Sequence, residues 1–231
     1  MKRIAIIPAR GGSKRIPRKN VKDFLGMPII AYSIKAALES GVFDEVMVST
    51  DDEEIAAVAR EYGASVPFFR SAKTSDDYAT TADVIDEVLD RYMENGKKFD
   101  VVACIYATAP FVTPQRLMEA SSLLDKGIFD SAFTCVAYSY PVQRGLGIDK
   151  DGRISMKWPE YRSSRSQDLE TVYHDAGQFY IAKVDAYRKA RSFWGDNTAP
   201  IILSELEVQD LDTFTDWKLA EMKYSILVNK K

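Results

Sequence analysis

The sequence predicts an α/β fold of three layers, a mainly parallel sheet between helices with an inserted antiparallel arm. Three observations carry that prediction. Short β-branched apolar runs alternate with helical periodicities through the first two thirds of the chain. Glycines and cations crowd immediately after the first run, and the alternation breaks off after about Tyr138, around a hairpin-type Asp151-Gly152 turn. Strand-helix alternation of this kind implies right-handed crossovers between parallel strands, helices on both sheet faces, and ligands at the carboxyl ends of the strands.

Taken in order, the strand-like runs are 4–7, 45–49, 65–68, 101–106 and 132–137. Between them, residues 29–39, 52–62, 81–94 and 114–126 repeat apolar side chains at spacings of three and four, which predicts helices. The stretch at about 138–170 reads as an antiparallel excursion whose Trp158 and Tyr161 are expected at the surface, and therefore as a dimer contact. The chain returns through a strand at 178–182, a helix at 184–191, a short strand at 201–203 and a last helix from Thr213 to about Val228. Asp212 or Thr213 is its expected N-cap. With no internal repeat or low-complexity linker, residues 1–231 read as one domain.

Composition narrows the function. Apolar residues at 46% and charged residues at 28% belong to a globular chain, and a formal net charge of −3 disfavours a general nucleic-acid or anionic-membrane surface. No run of about 18 apolar residues offers a membrane span, and the start lacks a signal-peptide pattern, so a cytoplasmic protein is expected. Cys104 and Cys135 lack CxxC spacing and read as reduced, buried thiols without structural zinc.

The most informative stretch follows the first strand, Pro8-Ala9-Arg10-Gly11-Gly12-Ser13-Lys14-Arg15-Ile16-Pro17-Arg18-Lys19-Asn20. Glycines and a serine free the backbone to wrap an anion, and Arg10, Lys14, Arg15, Arg18 and Lys19 bring charge to a polyphosphate. The spacing matches neither a GxxxxGK[ST] loop nor GxGxxG. An arbitrary basic run is usually a solvated loop, but five cations after the first strand of such a sheet sit where phosphates bind. A second signal is Val208-Gln209-Asp210-Leu211-Asp212, where two carboxylates two residues apart in a strand-like run would face one way and hold magnesium with phosphate oxygens. Equally, Asp212 is a plain helix cap. Ser49-Thr50-Asp51-Asp52, at the end of the second strand, fits either a ligand-facing position or a helix cap by Thr50 or Asp51, and the cap is the favoured reading. His174, the sole histidine, has aromatic neighbours that fit either core or an acceptor wall.

These motifs together resemble the CMP-nonulosonate synthetases, cytidylyltransferases that activate sialic acid and related nine-carbon acidic sugars. The resemblance rests on Ile7-Pro8-Ala9-Arg10-Gly11-Gly12-Ser13-Lys14, Arg18-Lys19-Asn20, Val48-Ser49-Thr50-Asp51, Ala107-Thr108-Ala109-Pro110 and Val208 to Thr213. Ile105 to Phe111, Ser166-Gln167-Asp168-Leu169 and His174 to Tyr180 are most similar to the members acting on pseudaminic acid. Tyr106 stands where sialic-acid enzymes carry glutamine, and His174-Asp175-Ala176-Gly177 replaces their Arg-Pro-Asn-Gly-Ala, both departures falling on the acceptor side.

The resemblance implies a Rossmann-like nucleotidyltransferase fold, CTP and an acidic nine-carbon sugar as substrates, magnesium as cofactor, and a homodimer through the arm. It implies that Arg10 and Lys19 stabilise charge at the transferring phosphate, with Ala9, Gly11, Gly12, Ser13, Lys14, Arg15 and Asn20 around the nucleotide. Arg70 and Ser75 would read the cytosine, Asp210 and Asp212 would bind magnesium, and Tyr106, Arg165, His174 and Gln178 would line the acceptor pocket. The base that takes the acceptor's proton stays open between His174 and a metal-bound water. Other acidic sugars as acceptors, or an inactive nucleotide-binding module, are the alternative readings.

Overall fold

The computed structural model describes residues 1–13 and 15–229. The chain opens with strand β1 (Arg3–Pro8), a two-residue pair of strands β2 (Asp23–Phe24) and β3 (Met27–Pro28), and helix α1 (Ile29–Glu39). It continues through β4 (Glu45–Ser49), α2 (Glu53–Glu61), the short α3 (Ala72–Ser75), α4 (Thr81–Glu94), β5 (Val101–Ile105), α5 (Pro114–Asp125) and β6 (Ser131–Ala137). The remaining elements are β7 (Leu146–Ile148), β8 (Ile154–Met156), β9 (Tyr173–Lys183), α6 (Val184–Ala190), β10 (Thr198–Leu203) and α7 (Phe214–Val228).

Six strands form one sheet in the order β10-β6-β9-β5-β1-β4. Five run the same way, and β9 alone runs against both neighbours. Alternation along each strand splits the core into two layers. Ala5, Ile7, Val46, Val48 and Ile105 pack under α1, α2 and α5, while Ile4, Ile6, Met47 and Val102 pack under α4 and α6. At roughly 25 cal/mol per Å² of apolar surface buried, this two-sided burial is the main stabilising term, and it explains why the central strands read as continuous apolar runs.

Boundaries follow local chemistry. Thr80 and Asp83 form a capping box at α4, Thr113 caps α5 ahead of Pro114, and Thr213 with Asp216 closes a capping box on α7, which decides the N-cap in favour of Thr213 over Asp212. The arm is a two-stranded antiparallel ribbon, β7 on β8, turning where Gly152 adopts φ +81°.

Four expectations are corrected. The run 65–68 makes a single bridge to Met47 instead of a strand, because Pro67 cannot donate to a ladder. Residues 208–212 form no strand, Asp212 lying in a bend, although Leu211 is buried while Asp210 and Asp212 are not. Neither Thr50 nor Asp51 caps α2, since Asp52 accepts from the Ile55 amide at 3.0 Å. Tyr161 is half-buried, although Trp158 is 40% exposed as expected.

A third apolar cluster lies outside the sheet. Ile16 and Leu211 are buried with Phe24, Ile29, Tyr32 and Trp217. Phe24 is edge-on to Tyr32, Trp217 and Tyr224 at centroid distances of 5.4, 5.6 and 5.7 Å. By burying one residue from the basic loop and one from the Asp-x-Asp segment, this cluster brings together pieces almost two hundred residues apart.

Candidate active site

Two cavities open at the carboxyl end of the parallel strands and share Tyr106 and Thr108. The first, about 470 Å³, is walled by Arg10, Ser13, Arg15, Lys19, Asn20 and Arg70, with Thr80 and Thr81 from the start of α4. The second, about 580 Å³, is walled by the end of β6, the first half of β9, the segment 205–210 and Lys223 of α7.

The first cavity is cationic by construction. Lys19 Nζ donates to the Leu211 carbonyl at 2.7 Å, and its pKa is lowered by burial, against the opposing pull of Asp212 and Asp210. Arg10 donates to the Asp77 carboxylate at 2.7 Å and to the Asp76 carbonyl at 3.1 Å, while Asn20 fixes the loop by donating to the Arg10 carbonyl at 2.9 Å. Arg15 pairs with Asp212 at 2.5 Å. Ser13 Oγ donates to the Ile16 carbonyl at 2.6 Å, turning the loop back on itself. Ala9 is buried, its amide held by the Ser49 carbonyl at 2.9 Å.

Gly11 has a steric reason: its amide donates to Asp51 Oδ1 at 2.9 Å, and a Cβ there would sit 2.6 Å from Asp52 Oδ2. Gly12 has free space around it. Lys14 lies outside the described residues. Arg18, expected among the phosphate cations, turns away instead: in the left-handed region at φ 53°, it pairs with Asp52 at 2.5 Å and with Glu54. These carboxylates at the start of α2 raise its pKa, and it braces the loop from outside. Arg70 does face the cavity, anchored on the Ser49 carbonyl at 2.6 Å, with its pKa lowered by burial. Ser75 does not line the cavity; it donates to the Ser71 carbonyl at 2.8 Å within α3.

The second cavity depends on an irregularity. Between the pairs Phe133↔Tyr180 and Cys135↔Asp175, β9 carries more residues than β6, and Gly177 sits at φ +61°. The bulge re-aims side chains, so Tyr180 Oη donates to Asp175 Oδ2 while the Gly177 amide donates to Asp175 Oδ1 at 2.8 Å. Tyr106 and His174 line this cavity, His174 against the Tyr138 ring at a centroid distance of 4.7 Å. Gln178, expected in the acceptor pocket, is buried behind the wall and donates to the Glu207 carbonyl, so it supports this cavity without facing it. Arg165 stays on the arm, paired with Asp168 at 2.7 Å, away from both cavities of its own chain.

The sequence alone pointed to no role for Thr81 or Lys223; Thr108, Asp175 and Tyr180 stand in the motifs that carry the resemblance without a role of their own, and Asp51 was expected as a helix cap. Thr108 carried a signal, lying just past the carboxyl end of β5; Lys223, in the middle of a helix, carried none. Lys223 Nζ donates to the Val208 carbonyl at 2.7 Å and the Glu205 carbonyl at 3.1 Å, pinning the segment that leads into Asp210. Among the described residues no helix is long and apolar enough to cross a membrane, and no group of three or more His, Cys, Asp or Glu side chains is poised on a metal.

Comparison with known proteins agrees with this geometry. The cytidylyltransferase family profile matches residues 4–216. A pseudaminic acid cytidylyltransferase of Campylobacter jejuni is 41% identical over 98% of this chain and 97% of its own. A CMP-N,N'-diacetyllegionaminic acid synthase of Legionella pneumophila is 36% identical over 96% of this chain and 95% of its own. In fold, the chain matches a CMP:2-keto-3-deoxy-manno-octonic acid synthetase solved with CTP, at a TM-score of 0.70 and 18% identity, with both chains fully covered. A cationic cavity joined to a second, polar one at the strand ends suits nucleotide transfer, and with these relatives across its length the chain belongs to the cytidylyltransferase family.

Proposed function

We propose that the chain transfers CMP from CTP to the anomeric hydroxyl of pseudaminic acid, releasing pyrophosphate. The observation carrying this reading is the junction of the two cavities at Tyr106 and Thr108, which lets a triphosphate and an acceptor approach from opposite sides of one seam. The identity to the Campylobacter enzyme supports the choice of acceptor. The acceptor oxygen attacks the α-phosphorus in line, and no covalent enzyme intermediate is required. Lys19 and Arg10 offset charge that builds on the departing pyrophosphate, in a cavity where preorganised cations cost no reorganisation.

Magnesium fits the carboxylates near Lys19. Hard cations of this size take one or two carboxylates together with phosphate oxygens and water, and Asp210 and Asp212 present two carboxylates next to the cationic cavity. They would hold the ion, which when bound supplies positive charge to the phosphate oxygens. Turnover is expected to vanish with a chelator and return with added magnesium.

Leu146, Ile148 and Ile154 of the arm are exposed, which supports a homodimer in which a second copy covers this ribbon. Monomer mass in light scattering at micromolar concentration would refute it. A cytoplasmic location fits the free thiols of Cys104 and Cys135. The decisive assay measures pyrophosphate release with CTP, magnesium and either pseudaminic or N-acetylneuraminic acid. Release with the first alone supports the acceptor assignment; release only with the second overturns it and leaves the cytidylyltransferase chemistry standing.

A further inference from the structure

The second cavity poses a problem of charge to any acidic acceptor. Asp175, Glu205 and Asp210 all line it. Among the described residues, Lys223 is the one lysine or arginine in its wall; Arg10, Arg15, Lys19 and Arg70 belong to the other cavity. Arg116 lines neither, being paired with Glu119 at 3.0 Å and Glu207 at 3.3 Å. An anion entering this space therefore meets repulsion on most sides and attraction at one point.

Lys223 is also fixed at its head, which a lysine on an open surface is not. The side chain is half-buried, and Nζ donates to the Val208 carbonyl at 2.7 Å and the Glu205 carbonyl at 3.1 Å. Both carbonyls flank the turn Glu205–Glu207, which Ser204 and Glu207 close with a capping box, while Gln178 takes the Glu207 carbonyl from the β9 side. An ammonium has three N–H donors, so two carbonyls leave one donor for a group inside the cavity. The four-carbon stem has lost its freedom before any ligand arrives, which lowers the entropic cost of gripping one.

We propose that Lys223 holds the carboxylate of the acceptor and so selects an acidic sugar. In a sugar of the 2-keto acid class the carboxyl carbon is bonded directly to the anomeric carbon, so a cation on the carboxylate also fixes the hydroxyl that attacks CTP. The surrounding carboxylates sharpen the choice by opposing every orientation that turns the acid away from Lys223. His174 is the poorer anchor, because its Nδ1 is engaged with the Asp175 carbonyl at 2.9 Å and its ring lies on Tyr138. The anchor rests on the proposed seating of the acceptor in this cavity. A lysine that only pinned residues 205–210 would serve an acidic and a neutral acceptor alike, and that difference is measurable.

The test uses the full chain with CTP and magnesium and two acceptors, pseudaminic acid and its C1 carboxamide, in wild type and Lys223→Met. Wild type is expected to show a KM about fivefold lower for the acid than for the carboxamide, the size of one charge pair in an open cavity. Lys223→Met should raise the KM of the acid about fivefold and leave that of the carboxamide near its wild-type value, so that the ratio falls to about one. Comparing ratios cancels any difference in intrinsic reactivity between the two acceptors. An equal rise for both in Lys223→Met would overturn the anchor and leave Lys223 as a brace of the 205–210 segment. Should that variant misfold and lose CTP binding, Lys223→Gln, which keeps a donor without the charge, decides in its place, and a wild-type ratio there is equally fatal. A wild type that turns over acid and carboxamide with equal KM faults the anchor alone; absence of wild-type turnover with either faults the seating, and the anchor with it.

Discussion

The cationic cavity and the cavity across the seam from it are built at the same strand ends by opposite strategies. The first takes Arg10, Ser13, Arg15, Lys19 and Asn20 from one continuous loop and braces them from outside with Arg18, Asp51 and Asp52. The second draws on the loop after β5, the end of β6, the β9 bulge, the segment 205–210 and α7. A phosphate is recognised by charge density, which consecutive cations supply; a sugar is recognised by hydroxyl positions, which need groups converging from several elements. Substitutions should therefore separate into those felt by CTP and those felt by the acceptor.

The largest expected effect is Lys19→Ala, which should lower kcat by about 10²–10³-fold while unfolding temperature changes little. Wild-type turnover in that variant, with a normal metal requirement, would remove Lys19 from the chemistry. Next, Gly11→Ala drives a Cβ to 2.6 Å from Asp52 Oδ2 and should raise the CTP KM about tenfold with the acceptor KM unchanged. Equal effects on both substrates would break the division into two cavities.

Lys223→Met preserves bulk but frees the Val208 and Glu205 carbonyls, and should raise the acceptor KM about fivefold, leaving the CTP KM near wild type. Asp52→Asn keeps a capping side chain and removes the ion pair with Arg18, so it tests the outer brace through stability, with a loss of about 0.5 kcal/mol in denaturant unfolding. Asp52 is held down to about 2, chiefly by its hydrogen bond from Arg18. Its contribution is thus present above the unfolded carboxylate pKa of about 4 and is lost as pH falls toward about 2. The variant should show a shallower acid loss over that window; an unchanged acid limb would detach Asp52 from it. Smallest is His174→Asn, expected to alter acceptor KM modestly and to leave the pH profile unchanged.

The two cavities also differ in how much of them the sequence revealed. Helices 29–39 and 81–94 were legible to the residue because apolar spacing and caps are local properties. The basic loop was legible as a cationic stretch at the strand ends, yet Arg18 shows the limit: five cations look alike in sequence, and only their partners tell which one turns away from the cavity. The antiparallel sense of β9 was hidden, because a buried strand reads as an apolar run in either direction.

By itself the sequence determined the alternating α/β architecture, the arm, the cationic loop after β1 and the acidic pair near the last helix, all set by short-range patterning. The tertiary structure decided what those pieces meet. Burial of Ile16 and Leu211 in one aromatic cluster places Lys19 against the Asp-x-Asp segment, and the β9 bulge joins Tyr180 to Asp175 beside Tyr106. Such meetings depend on packing between residues far apart in the chain, which no local pattern encodes.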